Sequence, residues 1–373
     1  MAPVVLAACW SGSASASTGS SGGKGGSHGF SHASGVAAAK KLEKAGERSL
    51  NKFQRPGPAF DAGKASGKSL FYIDYSSSPA VDTWAKTATT VLKSRGVKVT
   101  HINGDASTAS FNQAIQEAIA QHANAIMLMG IDPSSVAQEV AKAKTAGIGV
   151  LVGSNEEVGI PSYPNVVASA TINGVAVGKL LADWMIASSN GKVDADIVTH
   201  QGVLGTSEEV AGIQRELKRL CSACTSKVVN LPFTQINTEA QLTSTLITGD
   251  PELNFIVPVY DFELAAMEPS VAAAGAGTRV SLASFNALPN ILQLMAKGGP
   301  IKADIGSPNV WFGYSIADQV MRVLAHVRPV KSEDNPLRLF VPGNIKQLDL
   351  SAESPAWYGN VNYKAGYAKL WKK

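Results

Sequence analysis

The strongest constraint on this chain is a hydrophobic pattern that switches period from strand to helix and back within residues 70–103. Leu70, Phe71, Tyr72 and Ile73 form an apolar run, and Ser76, Ser77, Ser78 and Pro79 make a polar turn. A helical pattern then runs from Val81 to Ser94, Gly96 stops it, and Val97, Val99 and Ile102 mark a second strand. This is a βαβ unit. A first strand that is apolar almost throughout belongs to a parallel sheet covered by helices on both faces. Pro79 is tolerated where the helix begins because its missing N–H would be unpaired there anyway, and Gly96 is a usual helix stop. In open parallel sheets ligands bind beyond the carboxyl ends of the strands. The turn from Tyr75 to Ser78 is therefore the first candidate site.

The rhythm continues. The pattern predicts a helix over 111–121, a buried strand over 125–129, and a helix opened by Asp132 as N-cap and closed at Gly147. Strands at 148–152 and 166–168 and a helix over 173–188 follow. In the second half, strands at 197–200, 227–231, 255–259, 280–284 and 303–305 each lead into a helix, the last over 311–327. Strands alternating with helices of this length mean a parallel, doubly wound α/β architecture. About ten such strands are more than one compact sheet prefers, so two similar lobes are expected. After Val327 the pattern thins to short strands near Phe340 and Leu348, and the aromatic tail at 357–363 is expected to pack along the second lobe.

Before Lys68 the chain reads as leader and linker. Leu6-Ala7-Ala8-Cys9 has the form of a bacterial lipobox, in which the Cys is freed and lipid-modified. Only eight residues precede Cys9, with no Lys or Arg among them, whereas a signal peptide has a basic start and a longer apolar stretch. The Ser, Gly and Ala of residues 11–34 behave as a flexible leash. Residues 36–53 are predicted to form a short amphipathic helix with Leu42, Leu50 and Phe53 on one side. A net charge of +4, dispersed along the chain, gives no nucleic-acid footprint. No apolar run is long enough for a membrane span.

Several motifs fail on context. Gly63-Lys64-Ala65-Ser66-Gly67-Lys68-Ser69 is one residue short of a phosphate loop and precedes a strand, where a phosphate loop must follow one. Gly147-Ile148-Gly149 likewise leads into a strand. The six His are scattered, and no second Cys pair completes a zinc set with Cys221-Ser222-Ala223-Cys224, so no metal or cofactor is expected. That Cys pair lies at a helix C-terminus, not at the N-terminus a redox motif uses. It reads as a local disulfide, with reduced thiols as the alternative. His200, at a strand end, is a candidate for ligand contact or for a structural role. Nothing assembles a nucleophile, base and orienter, so the chain is not expected to be an enzyme.

The order of these elements resembles the type I periplasmic solute-binding proteins, the ribose-binding branch that includes the ligand domains of LacI-type repressors. The resemblance rests on Pro79 after the first strand, Asp132-Pro133 after the 125–129 strand and Gly147-Ile148-Gly149-Val150 before a strand. Asn173-Gly174 with Gly178-Lys179, Gly205-Thr206-Ser207, Tyr260-Asp261 and Phe285-Asn286 complete it. It spans residues 68–341. It implies an N-terminal lobe of 68–171 plus 309–336 and a C-terminal lobe of 172–308 plus 337–373. Three hinge crossings, near 170–172, 307–309 and 336–339, would join them, with residues 1–67 as leader and linker. It further implies a cleft lined by Ser77, Ser78, Ser154, Asn155, Asn173, Val210, Tyr260, Asn286 and Ser307.

Sugar binders of this branch carry an Asp-Arg pair where Ser154-Asn155 stands, an Arg at Val210, an Asp at Asn286 and aromatic rings at Ala80 and Val81. Charged groups make the stronger hydrogen bonds to sugar hydroxyls. This chain keeps neutral groups, with Tyr75, Tyr260, Trp84 and Trp311 as candidate walls. A neutral solute, sugar-like or aromatic, is the implied ligand. The implied whole is a monomeric, lipid-anchored extracytoplasmic protein that delivers its solute to an ABC permease. The rival is a sensor of the same fold that signals to a membrane receptor. A LacI-type regulator would need a helix-turn-helix ahead of the ligand domain, and the Ser/Gly leader holds none.

Overall fold

The computed structural model of the chain describes residues 30–154, 163–330 and 333–372. Two six-stranded sheets form two lobes. The first runs, in spatial order, Glu333–Asp334, Val166–Thr171, Gly149–Ser154, Ala125–Met129, Ser69–Asp74, Lys98–Asn103, parallel throughout. The second runs Arg338–Phe340, Ile301–Gly306, Ser281–Phe285, Phe255–Pro258, Asp194–Thr199, Thr225–Asn230, with only the first strand antiparallel. In the opening βαβ unit Leu70 faces Val99 on one side and Ala125 on the other. Leu70, Phe71, Tyr72 and Ile73 are all buried, as their continuous apolar run requires. The helix between these strands, Pro79–Ser94, is capped by Ser78, whose Oγ accepts from the Val81 N–H.

The chain passes between the sheets three times: after Thr171, after Gly306 and between Asp334 and Arg338. One residue, Asn335, ties these crossings together through its backbone and its side chain. The Asn335 N–H donates to Thr171 O at 3.1 Å, and Asn335 Nδ2 donates to Ser307 Oγ at 3.1 Å. The Ser315 hydroxyl donates to Asn335 Oδ1, also at 3.1 Å.

The two chain ends correct the expected organisation. Residues 32–67 are not all linker. Helix His32–Gly46 packs on the helices Gly174–Ser188 and Thr206–Leu220 of the second lobe. Its buried side is Gly35, Val36 and Ala39, while Leu42 is exposed. Gly35 decides this face, because a Cβ there would overlap the carbonyl oxygen of Leu220. The following segment crosses to the first lobe. Glu47 O accepts from Arg338 Nε at 3.0 Å, and Pro58 O accepts from Arg322 Nη2 at 3.0 Å. Phe60–Asp61 then pairs with Trp371–Lys372.

The tail is corrected in turn. Trp357 and Tyr358 pack on Phe340 of the second lobe, but Tyr363–Leu370 packs on helix Asn309–Leu324 of the first. The Trp371 indole N–H donates to Asp318 on that helix at 2.6 Å. Cys9 and Asn155 lie outside the described residues, and of Ser154 only the backbone is described. The Cys221–Cys224 disulfide is formed, with Cα atoms 5.3 Å apart.

Candidate functional site

The carboxyl ends of both sheets face each other across a cleft. Its first-lobe wall is Tyr75, Ser76, Ser78, Ala80, Val81, Trp84, Met129 and Gly130. Its second-lobe wall is Val203, Leu204, Phe233, Tyr260, Phe262 and Asn286. The space between the walls is about 510 Å³, its open mouth included, and no lining residue carries a charge. The lobes touch at its rim. The Leu204 N–H donates to Gly130 O at 3.0 Å, Ile131 bridges Val203, and the Tyr75 and Phe233 rings meet edge-on at 6.0 Å. Beyond Val203 and Leu204 a wider hollow of about 1080 Å³ continues past Val210, Asp132 and Tyr163.

The aromatic wall is braced from behind. His200 is fully buried, and its ring stacks on Tyr260 at 5.7 Å and 8°. Its Nδ1 bonds Leu231 O at 2.7 Å and its Nε2 bonds Glu263 Oε1 at 2.8 Å. Burial alone would lower the His200 pKa, but the bond to Glu263 and its charge outweigh this and raise it. His200 therefore supports the wall and does not touch the cleft space. Tyr260 continues the stack onto Phe262 at 5.9 Å. On the opposite wall the Trp84 N–H donates to Asn309 Oδ1 at 2.7 Å, and Asn309 Nδ2 donates to Glu353 Oε2 at 2.8 Å. This chain joins a cleft wall of the first lobe to the tail of the second.

Of the residues expected to line the cleft, Ser78, Tyr260 and Asn286 come together there, and Val210 lines the wider hollow. Ser77 is exposed and gives its hydroxyl to the Asp82 carboxylate at 2.9 Å. Asn173 caps helix Gly174–Ser188 by accepting from the Ala176 N–H at 2.9 Å. Ser307 is spent on the hinge bond to Asn335. None of these three lines the cleft; they stand at a helix start, a helix cap and the hinge. Tyr75 and Trp84 do line the cleft, whereas Trp311 packs away from it against Phe53 and Tyr363. Phe233, Phe262, Val203, Leu204 and Met129 were not legible as site residues. Phe233 and Phe262 each lie just past a strand end, a position that signals a site in such sheets.

Among the described residues no group of His, Cys, Asp and Glu is placed to hold a metal, and no helix is long and apolar enough to cross a membrane. A family model described as a periplasmic binding protein domain matches residues 70–326. Several solved structures share the fold. An ABC transporter solute-binding protein from Burkholderia graminis, in complex with D-arabinose, is 22% identical with a TM-score of 0.65, over 76% of this chain and 98% of that one. A 5-methylthioribose transporter solute-binding protein from Thermotoga lettingae, with that ligand, is 13% identical with a TM-score of 0.71, over 83% and 97%. An ABC transporter solute-binding protein from Bacillus halodurans with bound myo-inositol is 14% identical with a TM-score of 0.66, over 76% and 97%. No curated protein matches the chain by sequence.

Proposed function

The chain belongs to the periplasmic binding protein domain family, and on that premise we propose that it is the extracytoplasmic solute-binding component of an ABC importer. It closes two lobes on one small neutral solute and presents it to a membrane permease. The single observation that carries the choice of solute is the cleft lining: aromatic and aliphatic walls, a few hydroxyl and amide groups, and no ionisable side chain but the tyrosines. A charged solute would lose its hydration there without a partner, at a cost of several kcal/mol. A solute with hydroxyls on one side and an apolar or ring-shaped part on the other fits both walls. The related folds were solved with sugars and polyols, one of them carrying an apolar thioether arm.

Closure needs no covalent chemistry. Water leaves the aromatic walls, Ser78 and Asn286 contribute hydrogen bonds, and the hinge absorbs the motion in a few residues. Cys9 is the proposed lipid attachment point. Palmitate labelling that is unchanged in Cys9→Ala would remove that part of the reading.

The test is thermal unfolding of the full chain against a graded set of probes. A ligand of the folded state raises stability by about 2.7 kcal/mol at a hundred times its Kd. 5-Methylthioribose and adenosine, each with hydroxyls and an apolar part, are expected to stabilise more than D-arabinose or myo-inositol at equal concentration. Tyr260→Ala is expected to abolish the shift. A response only to D-arabinose or myo-inositol would overturn the mixed-wall reading, and a response that survives in Tyr260→Ala would overturn the site.

A further inference from the structure

Asn286 and Ala287, just past the strand Ser281–Phe285, adopt φ of 140° and 54°. Two successive non-glycine residues at positive φ make a strained stretch that persists only where its surroundings hold it. Three bonds do so. The Asn286 N–H donates to Ile305 O at 2.9 Å, the Ala287 N–H to Asp304 Oδ1 at 3.3 Å, and the Leu288 N–H to Asp261 Oδ2 at 2.6 Å. Both Asp side chains are fully buried, and Asp261 Oδ1 and Asp304 Oδ2 find no donor among the described residues.

The two carboxyls instead face each other, and the Asn286 side chain faces Asp261 as well. Burial pushes both carboxyls up, and for Asp304 the neighbouring Asp261 charge adds to this. Burial and their shared surroundings thus disfavour charge on both carboxyls at once. Asn286 lines the cleft and is 2% exposed, and its buried Oδ1 has no hydrogen-bond partner among the described residues.

We infer that Asp261 and Asp304 are positioning residues that hold the turn at Asn286 so that its carbonyl Oδ1 faces the cleft and selects a solute presenting a hydroxyl or N–H donor there. This rests on the reading that the solute occupies the cleft. Neither Asp touches the solute, and both act through Asn286. A solute with an ether or carbonyl oxygen at that point meets an acceptor and is rejected, since the buried Oδ1 would stay unpaired.

Two experiments on the full chain test this. The first needs no solute: amide hydrogen exchange at Ala287. Asp304→Ala is expected to speed it about tenfold, as for loss of one hydrogen bond, while Asp304→Asn keeps an acceptor oxygen and restores the slow rate. Unchanged exchange in Asp304→Ala, or no rescue by Asp304→Asn, would overturn the anchoring. The second is a double-mutant cycle read by calorimetric Kd for 5-methylthioribose. Asp304→Ala and Asn286→Ala are each expected to weaken binding about tenfold, the worth of one hydrogen bond, and the double variant to be no weaker than Asn286→Ala. An equal further loss in the double variant would overturn the positioning role alone. Wild-type affinity in Asn286→Ala would overturn the cleft assignment beneath it, and with it the positioning role.

Discussion

Replacing Gly178 by Ala is expected to loosen the second lobe. Gly178 lies in helix Gly174–Ser188, where that helix meets helix Thr206–Leu220. A Cβ on Gly178 would overlap the carbonyl oxygen of Glu209 and lie 2.7 Å from the Ile213 nitrogen. The obstacle is backbone, so no side chain can swing aside. Gly212 answers from the other helix, where a Cβ would overlap Val175 O. The helices must separate by most of an ångström, and overpacking of this kind costs about 1–3 kcal/mol. Alanine returns about 1 kcal/mol of helix propensity. With backbone as the obstacle the cost belongs at the upper end, so a net loss of about 2 kcal/mol is expected. That lowers Tm by roughly 4–8 °C for a cooperative unit of 150–250 residues. Gly249→Ala is the control. Gly249 ends helix Glu239–Gly249 with no atom within 4 Å of its would-be Cβ, so only the propensity gain remains. Scanning calorimetry of both variants decides the matter. A Gly178→Ala protein as stable as wild type, or a Gly249→Ala protein that falls as far, would refute the argument from close helix approach.

Three further outcomes follow from the geometry. Asn309→Leu keeps volume but leaves the Trp84 N–H and Glu353 Oε2 unpaired, so denaturant titration should show a loss of about 2–4 kcal/mol; a loss under 1 kcal/mol would mean these bonds are idle. Asn335→Ala removes the side-chain bonds to Ser307 and Ser315 but keeps the backbone bond to Thr171, and should cost about 2–3 kcal/mol in the same titration, whereas Ser307→Ala, which removes one of those side-chain bonds, should cost about 1; equal costs would contradict the tie. Asp74, buried beneath Tyr75, has its pKa raised from 3.8 to about 6 by burial, and its partner His101, 2.5 Å away, is raised from 6.5 chiefly by that hydrogen bond. Both folded-state values exceed the unfolded ones, so the folded state holds more protons. The stability they contribute is complete below pH 3.8 and is lost as pH rises through about 6 and then through the His101 value. Asp74→Asn should therefore flatten the fall of Tm between pH 4 and 8, and an unchanged slope would exclude the pair as its source.

The parallel sheets and their division into two lobes were legible in the sequence because they follow from local pattern, whereas the three crossings were implied by the family resemblance. A continuous apolar run such as Leu70–Ile73 can only be a strand covered on both faces, and Pro79, Gly96 and Asp132 mark helix ends by backbone geometry that needs no partner. The neutral cleft was an expectation of the same resemblance, carried at Asn286, which does line the cleft. What lines the cleft was only partly legible. Ser77, Asn173 and Ser307 stand at the right strand and helix ends, yet they bond Asp82, the Ala176 N–H and Asn335 and lie outside the cleft lining. Phe233 and Phe262 enter from segments whose direction is set by packing across the lobe, not by local period.

The packing of the chain ends is set in the same way, by distant partners. Val36 and Ala39 carry too little apolar surface to announce a docked helix, and Gly35 matters only because the Leu220 carbonyl is waiting for it. Local sequence determined which elements form and in what order, because those choices are made within a few residues. Tertiary structure decided which polar groups remain free to meet a solute, because a hydrogen bond or a close approach depends on residues as far apart as Asp304 and Ala287, or Asn335 and Thr171.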